Sequence, residues 1–423
     1  MRDKIPAAVK RIAPLIRGWF DRSFFKAASK MLYQFNICKG CEKMNQQIYL
    51  DNAATTKMSD AVRREMEPYL KDCFGNASTS YELGQKSKEA LEHARSIIAE
   101  TLQAKKEEIF FTSGGSESDN WAIKGIAGAK KAIGKHIITS SIEHHAVLNS
   151  CEYLERLGYQ VTYIKPNEYG IITPEAVQAA IRPDTTLISI MYANNEVGTI
   201  EPIAQIGKIA RANQILFHTD AVQAYAQLPI SVAQLPVDLL SASSHKFHGP
   251  KGIGFLYVRD GVNVPSFIHG GGQERGKRAG TENIAGIVGM GKAAELAHEK
   301  MRSRIGREVR LRNYMIERVL YEIPDARLNG HRTMRLPGNV SFSFKGVEGA
   351  SLLMLLEEDG ICASGGSACN TGEKRISYVI SELSVPMDYA VGTVRLTMCG
   401  DTTKEEVDAA IASLKKNVNL LRI

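Results

Sequence analysis

Lys246 lies between two histidines in the stretch Ser243-Ser244-His245-Lys246-Phe247-His248-Gly249-Pro250. An apolar run at 237–240 leads into it, and residues 254–258 read as a further strand beyond the Gly-Pro turn. The lysine is therefore expected on a tight loop just past a strand's carboxyl end, where open α/β sheets place their ligands. An amine there can form a Schiff base with an aldehyde. Four other stretches carry comparable chemistry. Thr112-Ser113-Gly114-Gly115-Ser116-Glu117-Ser118 brings glycines and small hydroxyls to a helix start, which suits a phosphate through free N–H groups and the helix dipole. It is not a Walker loop, because no Gly-Lys-Ser/Thr follows. Glu143-His144-His145 offers an imidazole that is either a plain loop residue or a ring that stacks on an aromatic ligand and shuttles protons. Ala193-Asn194-Asn195-Glu196-Val197-Gly198 is a polar turn, and His218-Thr219-Asp220-Ala221-Val222-Gln223 supplies a carboxylate that is either a helix cap or the partner of a protonated pyridine.

These stretches need elements to hold them together. Apolar runs at 109–112, 136–139, 161–164, 186–191, 215–218 and 237–240 are separated mostly by helical patterns, such as Leu91, Ala94, Ile98 and Leu102 on one face. Strand–helix alternation implies a mainly parallel sheet covered on both faces. A long helical region is predicted from beyond Thr281 to about Tyr321, followed by a second unit: strand 339–344, helix 348–358, strand 394–398 and a terminal helix from Thr403. In a parallel sheet the stretches named above all fall at strand ends. One ligand then accounts for five of them. Pyridoxal phosphate needs a helix N-terminus for its phosphate, a stacking partner for its ring, a carboxylate for its pyridinium nitrogen and a lysine for its aldehyde.

The chain has 423 residues, of which 44% are hydrophobic and 23% charged, and no apolar run long enough to cross a bilayer. The net charge of +7 suggests nucleic acid until it is located. Residues 1–43 hold ten basic and three acidic residues, and the remaining 43 basic and 43 acidic residues cancel. The body is neutral, which argues against direct nucleic-acid binding. The stretch 1–43 reads in three ways: a basic amphipathic helix on an anionic membrane, a targeting presequence, or sequence upstream of a working start at Met44. Seven scattered cysteines point to a reducing compartment, with a cytoplasmic location expected. Cys38-Lys39-Gly40-Cys41 has no second pair at zinc spacing, so no metal is expected. Cys73, Cys151, Cys362 and Cys399 are expected to be buried.

From about Ile48 to the C-terminal helix the sequence resembles the cysteine desulfurases, a branch of the class V aminotransferases. The resemblance rests on Tyr-Leu-Asp-Asn-Ala-Ala-Thr-Thr at 49–56, Thr-Ser-Gly-Gly-Ser-Glu-Ser-Asp-Asn at 112–120, Glu-His-His-Ala-Val at 143–147 and Asn-Asn-Glu-Val-Gly at 194–198. Asp-Ala-Val-Gln at 220–223, Ser-His-Lys at 244–246 and Gly-Gly-Gly-Gln-Glu-Arg at 270–275 complete it. It implies a homodimeric fold-type-I pyridoxal-phosphate enzyme. Its large domain (59–300) has a mainly parallel seven-stranded sheet, and residues 44–58 and 301–423 form a smaller α+β domain. It implies that Lys246 holds the cofactor, Asp220 meets the ring nitrogen, Gln223 the ring hydroxyl, and His144 stacks on the ring. Gly115, Ser116, Ser243 and His245 would bind the phosphate, with Thr281 reaching the phosphate of the partner subunit. Asn195 and Arg395 would hold the substrate carboxylate. Cys362-Ala363-Ser364-Gly365-Gly366-Ser367-Ala368-Cys369 ends on the cysteine that carries a persulfide in the family. L-Cysteine would become alanine, and the sulfur would pass to an acceptor such as an iron–sulfur scaffold or a tRNA-thiolation protein. The rival readings are a selenocysteine lyase or other aminotransferase-type enzyme, and a non-catalytic sulfur-relay or assembly partner. The chain departs from the family pattern at Tyr81, Ser244 and Asn370.

Overall fold

The computed structural model describes residues 47–365 and 376–422. Tyr49–Ile423 forms one unit. The first strand, β1 (Ile48–Tyr49), leads into helices α1 (Asp60–Lys71) and α2 (Glu82–Leu102). Then come β2 (Ile109–Thr112), α3 (Gly115–Lys130), β3 (His136–Ser140), α4 (His145–Arg156), β4 (Gln160–Ile164), α5 (Pro174–Ala180), β5 (Thr185–Ser189), α6 (Ile203–Ala212), β6 (Leu216–Asp220), β7 (Leu239–Ser243) and β8 (Gly254–Val258). Strands β2–β8 form a seven-stranded sheet in the order β2-β8-β7-β6-β5-β3-β4, with β8 alone running against the rest.

The period-2 pattern of the strands decides the two faces. Ile137, Leu187 and Leu239 pack with Trp121 and Ile123 of α3 and Val147 and Leu154 of α4. Their neighbours Ile138, Ile188 and Leu240 point the other way, into a core with Leu91, Ala94 and Ile98 of α2 and Ile287 and Met290 of α7 (Ile284–Glu299). Strand ends differ from the apolar runs. β7 closes at Ser243 and β6 at Asp220, further toward the site, while β5 stops earlier, at Ser189. The β7 ladder continues on small residues, with Ser241, Ala242 and Ser243 in register with Leu256, Phe255 and Gly254. Backbone pairing, unlike hydropathy, is indifferent to side-chain polarity. Asp220 and Ser243 are therefore terminal strand residues rather than loop residues.

The predicted long helical region is two helices, α7 and α8 (Met301–Glu322), which meet at Lys300. The buried stripe of α8, including Met301, Met315, Ile316 and Val319, packs on a different layer from α7, so the path turns between them. That layer comprises β9 (Ala326–Leu328), β10 (Asn339–Phe344), α9 (Gly349–Glu358), β11 (Ile361–Cys362), α10 (Tyr378–Glu382), α11 (Met387–Ala390), β12 (Thr393–Thr397) and α12 (Lys404–Leu421). An antiparallel sheet β12-β10-β9 is its centre. The Thr403–Glu406 capping box starts α12. Residues 51–53 reach this sheet: the Asn52 side-chain amide donates to Thr397 O at 2.7 Å, and the Ala53 N–H donates to Thr397 Oγ1 at 2.8 Å.

Candidate active site

The carboxyl ends of β2, β3, β5, β6 and β7 carry the predicted stretches. The 3₁₀ turn Ser244–Lys246 continues β7 directly. It is held by Thr56, whose N–H donates to His245 O at 2.9 Å while its Oγ1 accepts the His248 N–H at 2.7 Å. His248 takes a left-handed φ of 66°, closing the loop. Lys246 Nζ donates to Ala53 O at 2.6 Å and Ala54 O at 2.9 Å. Burial, reinforced by the Arg395 charge, lowers its pKa to about 8, against the pull of Asp220 and Asp51. Near neutral pH the amine is therefore uncharged far more often than an ordinary lysine, which makes it a nucleophile and a proton acceptor. Gln223 Nε2 donates to the same Ala53 carbonyl at 2.9 Å, so the Asp-Ala-Val-Gln and Ser-His-Lys stretches converge on one backbone oxygen.

Asp220 is buried, and its Oδ1 accepts the Val222 N–H at 2.8 Å. Burial raises its pKa, opposed by His144 and Lys246. His144 caps α4 with Nδ1 accepting the Ala146 N–H at 3.1 Å, which leaves Nε2 to carry the proton of the neutral ring. The residue is exposed, yet enough protein surrounds the ring to desolvate it. That desolvation lowers its pKa, against the pull of Asp220.

The helix start at Gly115 is a cradle. Gly114 has φ 151° and ψ −176°, outside the range that other residues favour. A Cβ on Gly115 would lie 2.5 Å from Val222 Cγ2 and 3.7 Å from Ser243 Cβ. Gly115, Ser243 and Val222 thus meet where the first-turn N–H groups of α3 lack intrahelical acceptors. Ser116 is exposed at the same turn. His245, beside Ser244, has its Nδ1 3.1 Å from Thr55 Oγ1, and burial lowers its pKa to about 4, so it is neutral. Thr281 is exposed, at the end of a glycine-rich excursion. That excursion is pinned to helices α2 and α3 by two fork-like ion pairs. Arg95 meets Glu274 at 2.7 and 2.9 Å, with both side chains 3% exposed. Arg278 meets Glu117 at 2.8 and 3.1 Å.

Arg395 on β12 is 5% exposed. Its Nη1 donates to Asn195 O at 2.9 Å, and its Nη2 donates to Asp51 Oδ1 at 2.7 Å and Ser364 Oγ at 2.9 Å. Arg395 Nε and Asn195 Oδ1 are buried without a hydrogen-bond partner. Asn194 shapes the turn, its Oδ1 accepting the N–H groups of Glu196 and Val197. Sequence reasoning missed Asp51, Ser364 and Asp119. The first two were legible only as parts of motifs, and Asp119 as one more polar residue on a helix.

The cysteine expectations need correction. Cys151 is buried, and burial pushes its thiol up to about 12. Cys73, Cys362 and Cys399 are only half-buried. Cys362 ends a two-residue strand, and burial, then the charges of Glu357 and Asp51, raise its pKa. Short strands and loop positions leave one side of these thiols uncovered. Cys369, Asn370, Cys38, Cys41 and the whole of 1–43 lie outside the described residues. Of the other departures, Tyr81 is the exposed N-cap of α2, and Ser244 is fully buried with no hydrogen-bond partner for its hydroxyl.

Residues 48–410 match the Aminotransferase class-V family model, and the chain belongs to that family. It is 51% identical to the cysteine desulfurase IscS of Methanosarcina thermophila, covering 89% of this chain and 93% of the relative. It is 50% identical to the cysteine desulfurase IscS of Dictyoglomus turgidum, over 90% of this chain and 96% of the relative. Among solved structures, a NifS-like protein superposes with a TM-score of 0.84 at 36% identity, covering 89% of this chain and all of that one. SspA in complex with cysteine superposes with a TM-score of 0.75 at 38% identity, over 84% and 99% of the two chains. The α/β architecture with its mainly parallel sheet is that of fold-type-I pyridoxal-phosphate enzymes.

Proposed function

We propose that this chain is a pyridoxal-phosphate-dependent cysteine desulfurase that converts L-cysteine to L-alanine and takes the sulfur onto Cys369 as a persulfide. The observation that carries the reading is the convergence on residues 51–54 of a lysine with a pKa lowered to about 8 and a buried arginine, above a buried carboxylate at a strand end. Its near relatives bear the name of that activity.

The residues present fit the cofactor. Gly115 lets the start of α3 pack directly on Val222 and Ser243, so its first-turn N–H groups sit beside the ends of β6 and β7. Asp220 is a buried carboxylate, and Lys246 is an amine suited to an aldehyde. Gly115, Ser116, Ser243 and His245 would hold the phosphate, His144 would face the ring, Asp220 its nitrogen, Gln223 its hydroxyl, and Lys246 its aldehyde. Bound there, pyridoxal phosphate supplies an electron-withdrawing ring that makes the substrate's Cα proton removable. Arg395 offers its unpartnered Nε to the substrate carboxylate, with Asn195 alongside. Lys246, in its neutral form, accepts the Cα proton. The Cys369 thiolate attacks the substrate sulfur: an S–S bond forms, and the C–S bond breaks with its electron pair passing to the three-carbon unit. That unit gains a proton at Cβ, regains one at Cα from protonated Lys246, and leaves as alanine. The persulfide then passes its terminal sulfur to an acceptor for iron–sulfur cluster assembly or tRNA thiolation.

The same reading takes the enzyme as a cytoplasmic homodimer in which Thr281 serves the partner's phosphate. Residues 44–58 and 301–423 act as a small domain on the cofactor-binding body. Among the described residues no helix is long and apolar enough to cross a membrane. Incubation of the purified protein, loaded with pyridoxal phosphate, with L-cysteine tests the proposal. Alanine and sulfide should appear in equal amounts when a reductant is present. Failure to form alanine, or turnover of selenocysteine alone, would refute it.

A further inference from the structure

Asp119 sits on α3, 1% exposed, beneath the site. Its carboxyl lies close to that of Asp220: one oxygen of each, with a ring nitrogen of His144, fall within 4.8 Å of one another. Two carboxylates this close in a buried setting do not both stay ionised. The surroundings of the two are unequal. Asp220 accepts the Val222 N–H at 2.8 Å and faces Lys246 and His144, both of which favour its charged form. Asp119 has one oxygen, Oδ1, that is buried with no hydrogen-bond partner. The groups that face it are Asp220 and His218 from β6, the Ser241 hydroxyl from β7, and Glu143 and His144 from the loop after β3.

None of these is a cation suited to hold a carboxylate. His218 Nε2 is 3.6 Å from Asp119 Oδ1, but both its ring nitrogens already have hydroxyl partners, Ser189 Oγ at 2.8 Å and Ser241 Oγ at 3.0 Å. Burial holds His218 neutral, with a pKa lowered to about 3. Glu143 is fully buried and raised to about 8, mainly by burial, so it adds no fixed charge near neutral pH. Burial and the Asp220 charge raise Asp119 well above the ordinary carboxylate range.

We propose that Asp119 is a positioning residue: it holds the proton of a carboxyl–carboxylate pair and so keeps the single negative charge of the pair on Asp220. The consequence for turnover rests on Asp220 serving the cofactor's ring nitrogen, but the location of the proton does not. Infrared spectroscopy of the holoprotein, with aspartate side-chain carboxyls labelled with carbon-13, reads that location directly. The isotope separates aspartate bands from those of Glu143 and of Glu201, a second buried glutamate whose pKa burial raises. At neutral pH the wild type should show a labelled band of a protonated carboxyl. Asp119→Asn should lose that band, and Asp220→Asn should retain it. Absence of the band in the wild type, its survival in Asp119→Asn, or its loss in Asp220→Asn would overturn the proposal. If Asp119→Asn does not fold, the Asp220→Asn spectrum decides alone. The readout does not depend on desulfurase activity, so a failed alanine assay and a failed spectrum remain distinguishable.

Discussion

Replacing Gly115 with alanine adds one methyl group to the start of α3. On helix propensity alone the change is favourable, by up to about 1 kcal/mol. The structure reverses the sign. The new Cβ would lie 2.5 Å from Val222 Cγ2, whereas carbon atoms pack at about 3.5–4.0 Å. Val222 is β-branched and stiff, and its neighbours Asp220 and Gln223 are both proposed cofactor contacts, so the gap of about 1 Å must be opened by moving α3 or the Asp-Ala-Val-Gln turn. Overpacking of this kind costs about 1–3 kcal/mol. If the displacement falls on the phosphate cradle, pyridoxal-phosphate affinity drops by roughly 5- to 150-fold. The assay is titration of cofactor-free Gly115→Ala protein with pyridoxal phosphate, followed by visible absorbance, beside thermal unfolding of the same sample. Val222→Ala removes the offending methyl group while keeping the backbone N–H that Asp220 accepts. The double variant should recover most of the affinity. Wild-type affinity in Gly115→Ala, or no recovery in the double variant, would refute the packing argument.

Lys246 should load the cofactor with a rate that rises about tenfold per pH unit and levels off near its pKa of about 8, because only the neutral amine attacks an aldehyde. A rate still climbing toward about pH 10, as for an ordinary lysine, would contradict the buried setting. Cys369→Ala should keep the cofactor and lose alanine release, and mass spectrometry of wild type mixed with cysteine should place one extra sulfur on the Cys369 peptide. Sulfur mapped to Cys362 would sink the persulfide assignment. Glu274→Ala should destabilise by about 3–5 kcal/mol, since it strands the buried Arg95 guanidinium and the Phe111 N–H that Glu274 accepts at 2.8 Å. Denaturation of this variant beside Arg95→Leu/Glu274→Leu checks it, because the apolar pair should recover part of the loss.

Much of this protein can be read along the chain. Ile137 and Ile138, Leu187 and Ile188, and Leu239 and Leu240 alternate between faces because successive side chains of a strand point to opposite sides. Parallel strands bring their carboxyl ends to one edge, so the residues after each run gather there without any knowledge of strand order. Lys246, Asp220, His144 and Gly115 were legible for that reason. What the chain alone does not disclose is any contact whose partner is remote in sequence. Asp51 and Arg395 pair across 344 positions, and Ala53 O becomes the meeting point of Gln223 and Lys246 only once the β12 layer closes on the large sheet. The order β2-β8-β7-β6-β5-β3-β4 and the placement of Asp119 beside Asp220 depend in the same way on how the elements stack. Local pattern constrains neighbours a few residues apart. Register, crossover and burial arise only from the packed whole, and they decide which of many polar side chains are held close enough, and dry enough, to change one another's charge.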